Sequence, residues 1–414
     1  MFFLYNLLTH LAGLVLKIVA LFSPKMKLFV QGRKTIFETL SQKIAPGDRT
    51  IWFHAASLGE YEQGLPVMEK IKDKYPTHKI VVTFFSPSGY EVRKNTKDAD
   101  VVVYLPLDTK SNAEKFLKLV HPDMVFFIKY EFWPNYLNGL KNRNTPVYLI
   151  SGLFRENQLF FKWYGGFYRN ALKAFTHFFV QYESSKQLLA KIGFSNVTVS
   201  GDTRYDRVSK VLERDNTLPF IEEFINGKTT VVFGSSWPKD ESFFTDFINN
   251  ATDTKFIIAP HTIGNDHINE IKNSLTKKTV LFTEKEGKNL AEYDVFIINT
   301  IGILGKIYSY ADVAYVGGGF GTAGLHNILE PAAFGVPIII GPNHQKFPEA
   351  VVLVQMGGCV VANDKTEMEE TLSALVYNDD YRLEKGHIAG TFVNMNRGAV
   401  AIIMNKIEED AGSI

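Results

Sequence analysis

Thirteen short runs of β-branched or aromatic residues, most followed by a stretch of helical character, constrain this chain more than any other feature. The first set is 51–56, 79–85, 101–107, 124–130, 146–151 and 177–181. The second is 229–236, 255–260, 279–283, 295–300, 313–318, 337–341 and 358–363. The runs lack polar alternation, as strands do when both faces of a parallel sheet are covered. Their spacing leaves room for crossover helices, so each set reads as one doubly wound α/β domain. A polar stretch, 202–228, separates them and reads as a linker. Ligands of such sheets bind at the carboxyl ends of strands.

The 45 basic and 44 acidic side chains give a net charge of +1, which offers nothing to draw nucleic acid. One cysteine, Cys359, can form neither an internal disulfide nor a cysteine-cluster metal site. The near-neutral balance averages two unlike regions. Residues 1–50 hold seven basic and two acidic groups beside an apolar run, Phe2 to Phe22, whose strongly polar members are Asn6, Thr9, His10 and Lys17. About 20 such residues can cross a bilayer. Basic residues follow this run instead of preceding it, and no small-residue cleavage site ends it, which argues against a signal peptide. A buried amphipathic helix is the plain alternative. The favoured expectation is a membrane anchor, spanning or lying in the interface. Lys25, Lys27, Arg33 and Lys34 would keep the body on the cytoplasmic side and meet anionic headgroups.

Three motifs carry candidate chemistry. In Ile51–Gly64 a strand ends at His54 or Ala55, and Glu60 opens the next helix. A carboxylate there suits a general base, though acidic residues at helix starts also simply complement the dipole. In Lys129–Asn135, Glu131 again follows a strand, and Trp133 reads as packing ahead of a sugar-stacking platform. Gly317–Glu349 is glycine-rich, and Gly319 to Gly324 matches GxGxxG. It predicts a helix from Leu325 or His326 that receives a phosphate, with Glu330 one turn in; a ligand-free tight turn is the alternative. Arg204 and Pro260-His261 follow strands and are weaker candidates. Asp98-Ala99-Asp100 precedes a strand and is set aside. No HxxxH or HExxH spacing points to a metal, and neither a P-loop nor a GxSxG elbow is present.

Taken together, W-F-H-A-x-S-x-G-E at 52–60, E-F-W-P-N at 131–135, G-D-T-R-Y-D at 201–206, G-S-S at 234–236 and the block 317–342 resemble the bacterial Kdo transferases. Those enzymes move 3-deoxy-D-manno-octulosonic acid (Kdo) from CMP-Kdo to the lipid A precursor. The resemblance implies a GT-B fold: two Rossmann-like doubly wound domains facing a central cleft, plus an N-terminal membrane-associated helix. The implied division is an anchor helix 1–30, an acceptor-binding domain 31–205, a CMP-sugar-binding domain 206–392 and a returning C-terminal helix 393–414. It implies Glu60 as general base, with Glu131 and Arg204 stabilising the transition state; relatives often have lysine in place of Arg204. CMP contacts would fall on Pro260, His261, Ile301, Gly302, Ile303, Asn327, Ile328, Leu329 and Glu330. Two departures stand out: Ile303 replaces a glutamate, and His261 replaces an arginine, which makes phosphate donation there pH-dependent. No metal or cofactor is expected, no nucleic acid, and no protein partner is inferable. The implied place is the cytoplasmic face of the inner membrane. Two rival readings are another GT-B activity on a UDP-sugar, transferase or epimerase, and a non-catalytic nucleotide-binding membrane scaffold.

Overall fold

The computed structural model describes residues 2–412. The chain forms two compact units, one of Met1–Arg207 with Arg397–Ile414, the other of Val208–Asn396.

The first unit holds seven strands: β1 (Arg49–Ala55), β2 (His78–Phe84), β3 (Val101–Tyr104), β4 (Pro122–Ile128), β5 (Val147–Gly152), β6 (His177–Val180) and β7 (Val197–Val199). They pair in parallel in the order β3-β2-β1-β4-β5-β6-β7. This is doubly wound order, with the direction of winding reversing between β1 and β4. One face packs Trp52, Val81, Val125 and Phe127 against the helix Lys110–Val120 through Phe116 and Leu117. The other packs Phe53, Val82 and Phe126 against the helix Leu58–Lys74 through Val67, Met68 and Ile71.

The second unit repeats the architecture with β8 (Thr229–Ser236), β9 (Thr254–Pro260), β10 (Thr279–Leu281), β11 (Val295–Ile297), β12 (Val313–Val316), β13 (Ile338–Ile340) and β14 (Cys359–Val361). The order is β10-β11-β9-β8-β12-β13-β14, again all parallel, and the reversal lies between β8 and β12. The stretch 202–228, expected as a linker, is largely helical instead. It contains Thr203–Ser209, a 3-10 turn and Pro219–Ile225. Ile221 and Phe224 bury against Val232 and Ile257, apolar positions that a polar average over the stretch conceals.

After Asn396 the chain returns to the first unit. The helix Ala399–Gly412 buries Val400, Ile403 and Ile407 with Ile51 and Phe53. Asp206 fixes its start: Oδ1 accepts from the Gly398 amide at 2.8 Å and Oδ2 from that of Val400 at 3.3 Å.

The N-terminal run is one helix, Phe2–Val19, with no buried residue and enough apolar length to cross a membrane. Its half-buried positions, Tyr5, Asn6, Thr9, Gly13 and Leu16, form a single stripe at helical spacing. That stripe meets the first unit. Tyr5 donates to Asp108 Oδ2 at 2.7 Å, and Asn6 Oδ1 accepts from the Lys110 amide at 2.9 Å. Phe3, Leu8, Val15 and Ile18 point into solvent. The inward stripe is thus mostly polar or small, with Leu16 the exception, and most large apolar residues face outward.

Candidate functional site

Glu60 and Glu131 both follow strands at the winding reversal of the first unit, β1 and β4. Glu60 stands in the first turn of Leu58–Lys74, and its Oε2 accepts from the Ser57 amide at 2.7 Å and the Ser57 hydroxyl at 3.1 Å. This reciprocal N-cap fixes the carboxylate relative to the strand end. Burial, and next the charge of Glu131, push the Glu60 carboxyl above its ordinary range; the Ser57 bonds and Lys129 pull the other way. A carboxylate raised in this manner is a stronger base than a solvated one.

Glu131 is held from two sides. Its Oε2 accepts from Trp133 Nε1 at 2.8 Å and lies 3.2 Å from His54 Nε2. His54 is fully buried, and its Nδ1 is 2.8 Å from the Thr83 hydroxyl, which accepts from Trp52 Nε1 at 2.8 Å. His54 Nδ1 also lies 3.2 Å from the Thr83 carbonyl oxygen, and Trp133 Nε1 is 3.1 Å from Nε2, so Trp52, Thr83, His54, Trp133 and Glu131 form one connected hydrogen-bonded set. His54, near the end of its strand, is both buried and joined to Glu131. Trp133 packs on Phe85, ring centres 4.8 Å apart, besides donating to Glu131.

Arg204 is paired with a carboxylate two residues away. Its Nε and an Nη bond Asp202 Oδ2 at 2.9 and 2.8 Å, and its amide bonds Asp202 Oδ1 at 2.9 Å. Gln63, one turn beyond Glu60, donates to the same Oδ1 at 3.1 Å. The planar guanidinium is thus set on a buried carboxylate that is tied to the Glu60 helix. Asp98 and Asp100 are structural: the first accepts from Tyr61 at 2.9 Å, the second from the Ile80 amide at 2.8 Å.

In the second unit the glycine block follows β12, at the winding reversal. The predicted helix from Leu325 or His326 is absent. The chain stays in a loop, pinned by the His326 amide on Gly317 O at 3.1 Å, and the helix is only Leu329–Ala333. The glycines have packing reasons. A Cβ on Gly317 would lie 2.2 Å from Ser235 O, and one on Gly319 would lie 2.6 Å from the Gly341 amide. Asn327 Oδ1 accepts from the Leu329 amide at 3.1 Å, and its Nδ2 donates to Glu330 Oε1 at 3.2 Å. Glu330 approaches the short helix Leu304–Ile307 that follows the 301–303 loop: a Cβ on Gly305 would sit 3.5 Å from Oε2. Ile301 is 83% exposed and Gly302 has φ +96°, so that loop projects outward from the end of β11.

Pro260 ends β9, and His261 after it stacks on Trp237, centres 4.2 Å apart, and lies 4.7 Å from the His326 ring. Trp237 donates to His326 Nε2 at 3.2 Å. Burial lowers the pKa of both imidazoles, which favours their neutral form at neutral pH. Sequence spacing missed this three-ring cluster, because Trp237, His261 and His326 come from three separate loops. Among the described residues, no group of three or more histidine, cysteine or acidic side chains could hold a metal.

Two Rossmann-like sheets, with candidate residues at the carboxyl ends of each, define the GT-B class of glycosyltransferase fold. UDP-GlcNAc 2-epimerase from Neisseria meningitidis shares this fold, with TM-score 0.63 and 16% identity over 87% of this chain and 100% of that one. Residues 31–207 match the family described as 3-deoxy-D-manno-octulosonic-acid transferase (kdotransferase). A 3-deoxy-D-manno-octulosonic acid transferase of Chlamydophila psittaci is 28% identical over 380 residues, 87% of each chain. The one of Haemophilus influenzae is 24% identical over 432 residues, 98% of each. The chain is similar to Kdo transferases along nearly its whole length, and that similarity marks it as a glycosyltransferase.

Proposed function

We propose that this chain transfers Kdo from CMP-Kdo to a hydroxyl of a lipid A precursor such as lipid IVA, in lipopolysaccharide biosynthesis. The observation that carries the reading is Glu60: a carboxyl with a raised pKa, fixed by Ser57 at the end of β1 and beside Glu131. A sugar hydroxyl is a poor nucleophile until its proton is removed. Glu60 takes that proton as the oxygen bonds the anomeric carbon. The bond from that carbon to the CMP phosphate breaks, CMP leaves with the electron pair, and the centre inverts. Glu131, its charge held in place by Trp133 and His54, and Arg204, oriented by Asp202, stabilise the charge that shifts during transfer. CMP would sit on the second unit, against Pro260, His261, the backbone of Ile301, Gly302 and Ile303, and Asn327, Ile328, Leu329 and Glu330. CMP is a built-in leaving group, so these residues supply the reaction without a metal or cofactor.

The N-terminal helix would place the chain on the cytoplasmic face of the inner membrane. Its outward apolar face and inward polar stripe support a helix lying in the membrane surface. Incubation with CMP-Kdo and lipid IVA, beside UDP-sugars as donors, tests the reading. Kdo-lipid product from CMP-Kdo alone is expected; product from a UDP-sugar alone would overturn it.

A further inference from the structure

Between the N-terminal helix and the first unit lies a cavity of about 610 Å³. Its walls are apolar: Leu14, Leu16, Phe29, Val30 and Leu107 among them. Its charged lining residues are all basic, Lys17, Arg33 and Lys34, and none of the lining residues is acidic. Lys17 and Lys34 are exposed and have no carboxylate partner among the described residues. A second cavity, about 510 Å³, adjoins along Lys17, Val30 and Lys34 and adds Lys27.

Arg33 is the unusual member. Its guanidinium donates to three carbonyl oxygens, of Leu105 at 2.9 Å, Phe29 at 2.9 Å and Phe85 at 2.7 Å. It lies over the rings of Phe29, Phe85 and Tyr104, at 3.6, 5.1 and 4.8 Å. None of these partners carries a negative charge. Burial without a counter-ion pulls its pKa down to about 9. A largely buried cation met only by dipoles favours any anion that can reach it.

We infer that this cavity binds a phosphorylated lipid: the phosphate between Lys17, Arg33 and Lys34, and an acyl chain along Leu14, Leu16, Val30 and Leu107. Leu14, Leu16 and Lys17 of Phe2–Val19 form one wall, so the cavity adjoins the helix whose large apolar side chains are exposed. Arg33 links the cavity to the candidate site by contact: it bonds Phe85 O, Phe85 packs on Trp133, and Trp133 bonds Glu131. The inference deepens the acceptor part of the proposed function and rests on it for the identity of the physiological lipid. The binding itself is independent of chemistry.

The test uses the full chain in mild detergent, as wild type and as Glu60→Gln, so that loss of transfer and loss of lipid binding are separate results. Calorimetry with dihexanoyl phosphatidic acid is compared with dihexanoyl phosphatidylcholine and with inorganic phosphate. Phosphatidic acid should bind both proteins alike and more tightly than either other probe. Lys17→Glu with Lys34→Glu should weaken it by about tenfold or more, the scale of two lost charge pairs. Val30→Trp, which fills the cavity and keeps its charge, should weaken it similarly. Equal binding of the two lipids, or inorganic phosphate binding as tightly as phosphatidic acid, would overturn the inference. So would unchanged binding in both variants.

Discussion

His54 Nε2 lies 3.2 Å from Glu131 Oε2, although 77 residues separate them. The contact exists because β1 and β4 are neighbours at the winding reversal, in register at His54 and Phe127. It makes a buried imidazole the rear support of a carboxylate at the site. Removing it should leave Glu131 free to turn, and misplacement on the order of 1 Å costs about 10²-fold. His54→Leu is therefore expected to lower kcat by about 10²-fold. The KM for CMP-Kdo should change little. A matching thermal melt separates this loss from unfolding, and undiminished turnover in a folded variant would remove His54 from the site.

The neighbours of Glu60 set its proton affinity in opposite directions, Glu131 raising it and Lys129 lowering it. The base must be deprotonated to act, so activity falls as pH drops through the Glu60 pKa. That acid limb of kcat/KM should lie above the ordinary carboxylate range. Lys129→Met should shift it to higher pH. Glu131→Gln should shift it to lower pH, with kcat reduced as well. Rate profiles of the three proteins measure this directly.

Much of this site could be read from the sequence, and the reason is local. Glu60 and Glu131 each sit within a few residues of a strand end, so apolar runs and parallel-sheet topology place them. Strand positions were legible for the same reason, since buried parallel strands are unbroken apolar runs. Contacts formed between distant loops were not legible. Gln63 reaches Asp202, 139 residues away, and Trp237, His261 and His326 stack, only after the sheets assemble. The missing helix at Leu325 has a related cause: the loop's glycines serve close backbone packing against Ser235 and Gly341, which no periodicity records.

Asp108 ties the N-terminal helix to the first unit and caps another helix, accepting from Tyr5 and from the Asn135 and Tyr136 amides. Burial raises its carboxyl to about 6 from 3.8. A raised carboxyl favours the folded state when protonated. This contribution is fully present below the unfolded pKa, near 3.8, and is lost as pH rises through about 6. Asp108→Asn should remove that component. Relative to wild type, the variant should gain stability between pH 5 and 7.5, by on the order of 2 kcal/mol at most. Denaturant unfolding at the two pH values checks it; an unchanged difference would contradict it.

Glu330 lies within reach of Asn327 and of the short helix Leu304–Ile307. If it accepts hydrogen bonds from the ribose of CMP, Glu330→Ala should weaken CMP binding by about tenfold, the scale of a charge-assisted hydrogen bond. Calorimetry with CMP measures this, and unchanged affinity would take Glu330 out of the nucleotide site.

The central claim is that the Glu60 carboxylate removes the acceptor proton. Single-turnover transfer from CMP-Kdo to lipid IVA, comparing wild type with Glu60→Gln, tests it most directly. The amide keeps the size and the helix position but cannot take a proton. Transfer should fall by about 10²- to 10⁴-fold, the usual worth of a general base. CMP affinity and melting temperature should hold. Near-normal transfer by the folded variant would contradict the account.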